Sequence, residues 1–161
     1  MSRPRTGAAV SLPFFFYGTL RDSDPSHPVA RALHRKLHPG VAASVSGRLH
    51  ALPDPAGWYP ALTEGAGDER VIGRLCAARA GFGPADLARI DAYEDCRVDD
   101  PAGSTYLRLP MAVRVAGRPD PVTAQVYRFN RPLPPEAVPI PHGDFGAWLV
   151  ARGGRAYGTA P

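Results

Sequence analysis

Two places in this chain carry residue types whose spacing could do chemistry. The first is Glu94. Leu87 and Glu94 lie seven residues apart, nearly two full helical turns, so on the helix expected over Pro84 to Glu94 they share one line of the surface. Ile90 sits beside them, which makes that line the core-facing stripe. A carboxylate that continues an apolar face at the carboxyl end of a helix is badly placed: burial disfavours its charged form, and the negative end of the helix dipole adds to the penalty. Its pKa is expected to rise toward neutrality, where a general acid or base is most useful. The structural alternative is that the helix frays at Tyr93 and Glu94 swings into water. Asp91 lies on the flank of the same stripe and could share a cleft with Glu94, but a structural role capping the following loop is the favoured reading.

The second place is Tyr17-Gly18-Thr19-Leu20, which follows Phe14-Phe15-Phe16. Three successive phenylalanines need a strand covered on both faces. Gly18 then lets the backbone turn or approach a ligand closely. The amides of Thr19 and Leu20 follow, free to face a carboxylate or an oxyanion. A buried strand ending in a glycine loop is a common way to build a small-molecule pocket, although a core strand with an ordinary turn has the same appearance.

Other chemistries lack their parts. There is no GxSxG element, no phosphate-cradling glycine loop and no dinucleotide fingerprint. His27, His34 and His38 cluster around a short helix candidate, Pro28 to Leu37, but Pro39-Gly40 ends that helix and the ligand set for a closed site is missing, so they read as solvated histidines rather than metal ligands. Cys96 has no histidine near it in sequence and reads as a silent thiol. With Cys76 as the only other cysteine, there is no disulfide framework.

The elements that must position these residues are short. Nineteen prolines and seventeen glycines in 161 residues argue for a loop-rich fold rather than a helical bundle. Strands are expected at Phe14 to Tyr17, Val41 to Leu52, Arg70 to Ala80, Tyr106 to Val115 and Val122 to Phe129, the last two joined as a hairpin through Gly117 to Pro121. Trp58 to Leu62 is a short extended segment whose internal Pro60 suggests a sheet edge. Gly83 and Pro84 open the clearest helix. Arg131 to Pro141 holds five prolines and cannot be a regular helix. Residues 1–11 read as a loose tail, and residues 12–161 as a single α+β domain with a curled, barrel-like sheet. The formal charge is +4, but the basic residues are scattered and Lys36 is the only lysine. Without a basic stripe interleaved with aromatics, nucleic acid is not an expected partner. No segment has the apolar length to cross a bilayer, and a reduced, cytoplasmic setting is the expectation.

Four pieces in register resemble one family. Tyr17-Gly18-Thr19-Leu20 after a hydrophobic strand is similar to the signature loop of the gamma-glutamylcyclotransferase superfamily, which includes AIG2-like domains. Tyr59-Pro60-Ala61-Leu62 with Val71-Ile72-Gly73-Arg74-Leu75, then Ile90-Asp91-Ala92-Tyr93-Glu94, then Tyr106-Leu107-Arg108, resemble its further segments in order, across about Phe14 to Phe129. The resemblance implies a small, partly open, mostly antiparallel β-barrel flanked by a few short helices. It also implies a cofactor-free, metal-free cyclisation of gamma-glutamyl amines or peptides that releases 5-oxoproline. By the same resemblance Glu94 is the catalytic residue, the amides of Gly18, Thr19 and Leu20 hold the substrate, and Tyr17 and Tyr106 line the pocket. There are two departures: Asp95 stands where the family often has glycine, and the stretch from Glu94 to Tyr106 is long, with Asp99-Asp100-Pro101 inserted. Specificity is expected from Trp58, the 95–105 loop and His142 to Phe145. The second reading, from another class, is a non-catalytic small-molecule-binding or scaffold domain of the same fold. Oligomeric state is not legible in the sequence.

Overall fold

The three phenylalanines of β1 (Phe14–Phe16) are all buried, and they are divided between two cores. Phe15 points into one cluster with Val45, Val71, Val113 and Val126. Phe14 and Phe16 point into another with Leu33, Phe82 and Ile90. Alternation along the pleat sends neighbouring side chains to opposite faces, so a run of rings needs both faces covered, as here. The computed structural model describes residues 12–22, 24 and 26–159; the expected loose tail over residues 1–11 lies outside them.

The chain continues through α1 (Pro28–His34), β2 (Val41–Ser46), β3 (Arg48–Leu52), β4 (Tyr59–Thr63), β5 (Arg70–Cys76), α2 (Pro84–Tyr93), β6 (Tyr106–Val115), β7 (Val122–Phe129), β8 (Val138–Pro139) and α3 (Phe145–Arg152). Five strands form a barrel in the order β1-β5-β2-β6-β7. The expected small, mostly antiparallel barrel with flanking helices is present, and its ring is closed rather than partly open. Closure comes from the parallel pair within the barrel, Phe14 and Phe15 of β1 beside Gln125 and Val126 of β7, where the Gln125 N–H donates to Pro13 O at 2.8 Å.

A second sheet of three strands, β4-β3-β8, stands beside the barrel. Val41 to Leu52 is therefore two strands in two sheets, not one. The break falls at Gly47, where a side chain would run into Leu62 and would lie 3.0 Å from Thr63 O. β4 is an edge strand, which accommodates Pro60 and its missing N–H. The first helix is shorter than its periodicity suggests. It stops at His34, and the next residues pair across the chain instead: His38 N–H donates to Ala77 O at 2.8 Å and Arg79 N–H to Lys36 O at 2.9 Å.

α2 begins as its sequence requires. Pro84 occupies the first turn, and the Asp86 carboxylate accepts from the Gly83 N–H at 2.9 Å, a favourable place for negative charge. The stripe of this helix buries Ile90 and Asp91, and the helix's carboxyl end reaches a cavity lined by residues of the barrel and of the second sheet.

Candidate active site

Glu94 is the C-cap of α2, directly after Tyr93, with right-handed helical backbone, and its N–H still donates to Ile90 O at 3.0 Å. The helix does not fray, so the carboxyl does not swing into bulk water. It opens instead into a cavity of about 240 Å³. Burial, with Asp91 as a second contribution, pushes the Glu94 pKa up to about 8. Among the described residues no hydrogen-bond donor offsets this, and desolvation favours the protonated form of the carboxyl.

The next residue explains a departure from the family pattern. Asp95 has φ +50°, the single positive-φ non-glycine among the described residues. A left-handed residue after a helix end is the usual place for glycine. Aspartate is held there by its own contacts: Thr105 Oγ1 donates to Oδ2 at 2.6 Å and Arg97 Nε to Oδ1 at 3.0 Å. The Thr105 N–H donates to Asp95 O at 2.9 Å. The long loop thereby clamps the backbone directly after Glu94.

The residues expected to carry catalysis and substrate binding meet at this cavity: Tyr17, Gly18, Thr19, Leu20, Glu94 and Tyr106 line it together. The Arg21 N–H closes a turn onto Gly18 O at 3.0 Å, while the Thr19 and Leu20 N–H groups find no backbone acceptor among the described residues. Tyr17 OH donates to Tyr127 O at 2.5 Å, and Tyr106 OH donates to Pro60 O at 2.5 Å. Both phenols are pushed well above their ordinary pKa, first by burial, so they present neutral rings and fixed hydroxyls. Gly18 is required by its neighbour: a Cβ would collide with the Pro60 ring, lying 2.9 Å from its Cδ. A proline ring cannot swing aside, so Gly18→Ala is expected to cost about 1–3 kcal/mol, read as a lowered thermal midpoint. An unchanged midpoint would mean that β4 yields at Pro60.

Asp91 does not cap the following loop through its carboxylate. It accepts from Arg108 Nε at 2.9 Å and from Tyr127 OH at 2.6 Å. Arg108 and Tyr127 are directly opposite one another in the β6–β7 pair. This largely buried triad ties α2 to the barrel one turn before Glu94. His27 is also not a solvated histidine. It is buried; its Nδ1 accepts from the Ala30 N–H at 3.1 Å as the N-cap of α1, and its Nε2 meets Tyr93 OH at 2.9 Å. With Nδ1 accepting, Nε2 carries the proton and donates to Tyr93. Tyr93 OH in turn meets Thr19 Oγ1 at 2.8 Å. The loop, α1 and α2 are thus linked through one phenol.

The expected specificity rim is partly elsewhere. Asp95 and Thr105 of the long loop do line the cavity, but Trp58 and His142 to Phe145 do not. Trp58 packs edge-on against Trp148 with ring centroids 5.0 Å apart, and Phe145 is buried in the barrel core. Tyr59, Tyr93, Tyr127 and Tyr157 line the cavity without having been singled out as site residues. The alternation Tyr106, Arg108 along β6 could have pointed to a polar inward face; nothing local points to Tyr157. Cys76 and Cys96 are both free thiols, and burial raises the pKa of each. Among the described residues no helix is long and apolar enough to cross a membrane.

Comparison with solved structures finds the same fold. An AIG2-like protein from Mus musculus superposes with a TM-score of 0.60 at 21% identity, covering 83% of this chain and 87% of that one. A protein from Arabidopsis thaliana gives 0.59 at 17% identity, covering 92% and 87%. The uncharacterized protein PH0828 from Pyrococcus horikoshii gives 0.57 at 15% identity, covering 89% and 97%. No curated protein sequence matches the chain significantly. A family model described as "Gamma-glutamyl cyclotransferase, AIG2-like" matches residues 14–148. The chain belongs to that gamma-glutamyl cyclotransferase, AIG2-like family.

Proposed function

We propose that this chain is a cofactor-independent gamma-glutamyl cyclotransferase that acts on small gamma-glutamyl amines or peptides. The observation that carries the reading is the Glu94 carboxyl, its pKa raised by burial to about 8, in a cavity lined also by Gly18, Thr19 and Leu20, whose Thr19 and Leu20 N–H groups have no backbone acceptor among the described residues. The substrate's α-amine attacks its own γ-carbonyl. A bond forms between the α-nitrogen and the γ-carbon, and the bond from that carbon to the departing amine breaks. Glu94 takes one proton from the α-ammonium so that the amine can attack. The attacking nitrogen gives up a second as the ring closes. Both pass through Glu94 to the departing nitrogen, which leaves as an ammonium while Glu94 returns to a carboxylate. The products are 5-oxoproline and a free amine, with no water consumed.

The rest of the site holds the chain folded for ring closure, which supplies much of the barrier reduction in an intramolecular attack. Backbone amides of the Gly18–Leu20 loop hold the α-carboxylate or the developing oxyanion. Tyr17 and Tyr106 supply fixed walls. The raised pKa suits both halves of the transfer. A carboxylate at its ordinary pKa would take the ammonium proton poorly, whereas one near 8 is matched to an α-amino group.

Productive binding needs one proton shared between Glu94 and the substrate amine, so a protonated free enzyme meeting an ammonium carries one too many. The acid limb of kcat/KM is therefore expected near pH 8, the value for free Glu94. The acid limb of kcat should lie lower, because the bound ammonium favours the carboxylate. Assay of 5-oxoproline release from a panel of gamma-glutamyl amines and peptides across pH tests both. Binding of the panel without any release would favour the non-catalytic binding domain.

A further inference from the structure

We propose that Tyr157 is a specificity-determining residue, packing against the departing amine's alkyl chain where it leaves the cavity between Tyr59 and Tyr157. The inference rests on the cyclotransferase reading and deepens it by assigning the leaving-group side of the pocket.

The direction of the substrate follows from burial. Tyr17, Tyr106 and Tyr127 are buried at the floor of the cavity, beside Glu94. Tyr157, 37% exposed, and Asp54, also exposed, line the side of the same cavity that opens to solvent. The reacting head must reach Glu94 and the loop amides, so the substituent on the departing nitrogen points to the exposed end. It meets aromatic surface there. The Tyr157 ring lies 6.0 Å from Tyr59 and 6.4 Å from Tyr93, centroid to centroid, steeply inclined to both. Three ring surfaces meeting at a mouth favour a chain of methylenes over a compact polar group.

Tyr157 is held there by a segment built for the purpose of reaching this mouth. The Trp58 N–H donates to Arg155 O at 2.8 Å, and the Tyr157 N–H donates to Trp58 O at 2.7 Å. These bonds run the segment alongside the start of β4, from which Tyr59 projects. The other side is closed by Gly158, at φ +83°, where a Cβ would lie 2.6 Å from His27 Nε2. The backbone is therefore fixed independently of the phenol, and the ring can be altered without releasing the segment. The family match ends at residue 148, so this wall is supplied by a part of the chain that the family pattern does not cover.

The test compares N-(gamma-glutamyl)methylamine with N-(gamma-glutamyl)butylamine in wild type, Tyr157→Phe and Tyr157→Ala. Two readouts are taken: kcat/KM for 5-oxoproline release, and dissociation constants measured calorimetrically in the Glu94→Gln background. Each methylene laid on a ring is expected to add roughly two- to fourfold. Wild type and Tyr157→Phe should therefore prefer the butyl compound by about tenfold or more, and Tyr157→Ala should bring that ratio close to one. Three results would overturn the inference alone: a butyl preference that survives Tyr157→Ala, no butyl preference in the wild type, or an equal fall for both compounds in Tyr157→Ala. If the wild type releases no 5-oxoproline but the binding ratio still collapses in Tyr157→Ala, the subsite stands and the catalytic reading fails. If neither compound binds, both fail.

Discussion

Glu94→Gln is expected to lower 5-oxoproline release by about a hundred- to ten-thousand-fold while leaving gamma-glutamyl ligands bound. Glutamine fills the same volume and keeps hydrogen-bonding atoms at the cavity wall, but it cannot carry a proton from the attacking to the departing nitrogen. Whatever rate remains is the contribution of holding the chain folded for ring closure. The same substitution should alter stability in the opposite direction. Because the pKa of Glu94 is raised from its ordinary 4.5 to about 8, the folded state holds a proton that the unfolded state has released. That contribution is fully present below pH 4.5, shrinks as pH rises, and is gone once pH passes 8. Glutamine has no such dependence. Urea unfolding should show Glu94→Gln gaining on wild type between pH 5 and pH 9, by on the order of 1–3 kcal/mol. A gap that does not change with pH would mean that Glu94 titrates as an ordinary exposed carboxylate.

Asp91→Ala is expected to cost the fold about 3–5 kcal/mol. Asp91 is 7% exposed and holds Arg108 through two contacts, Nε to Oδ1 at 2.9 Å and Nη2 to Oδ2 at 3.3 Å, as well as Tyr127. Removing the carboxylate leaves a largely buried guanidinium without its counter-charge and a buried phenol without its acceptor. A domain of this kind has only about 5–15 kcal/mol in total, so the variant should unfold at a much lower urea concentration. Adding Arg108→Met should recover part of the loss, since replacing both partners by apolar groups removes the unpaired charge. A loss below about 1 kcal/mol for Asp91→Ala, the range of exposed pairs, would show that the pair is effectively solvated.

What was legible in the sequence is what is encoded locally. Phe14 to Phe16 announced a strand covered on both faces, because the pleat leaves no other place for three rings. The Leu87-Ile90-Glu94 spacing located the carboxyl on the buried stripe of α2, because helical geometry is fixed by a handful of residues. The closure of the barrel was not legible: it depends on β1 lying beside β7, more than a hundred residues away, and no local pattern encodes that pairing. The partners of Asp91 were hidden for the same reason, since Arg108 and Tyr127 reach it from two strands. Trp58 was misplaced because an aromatic beside a pocket-forming strand can face either sheet surface, and here it faces the Trp148 side. The burial of His27 is not legible because its partners, Tyr93 and the Ala30 amide, come from another part of the fold and from its own helix start.

The most direct test of the central claim is to measure 5-oxoproline and free amine together, in wild type and Glu94→Gln, with both proteins shown to be folded. The account predicts that wild type releases the two products in equal amounts from at least one gamma-glutamyl amine or peptide, and that release falls at least about a hundredfold in the variant. Equal release by the two proteins would contradict it, because the proton would then be carried by a group other than Glu94.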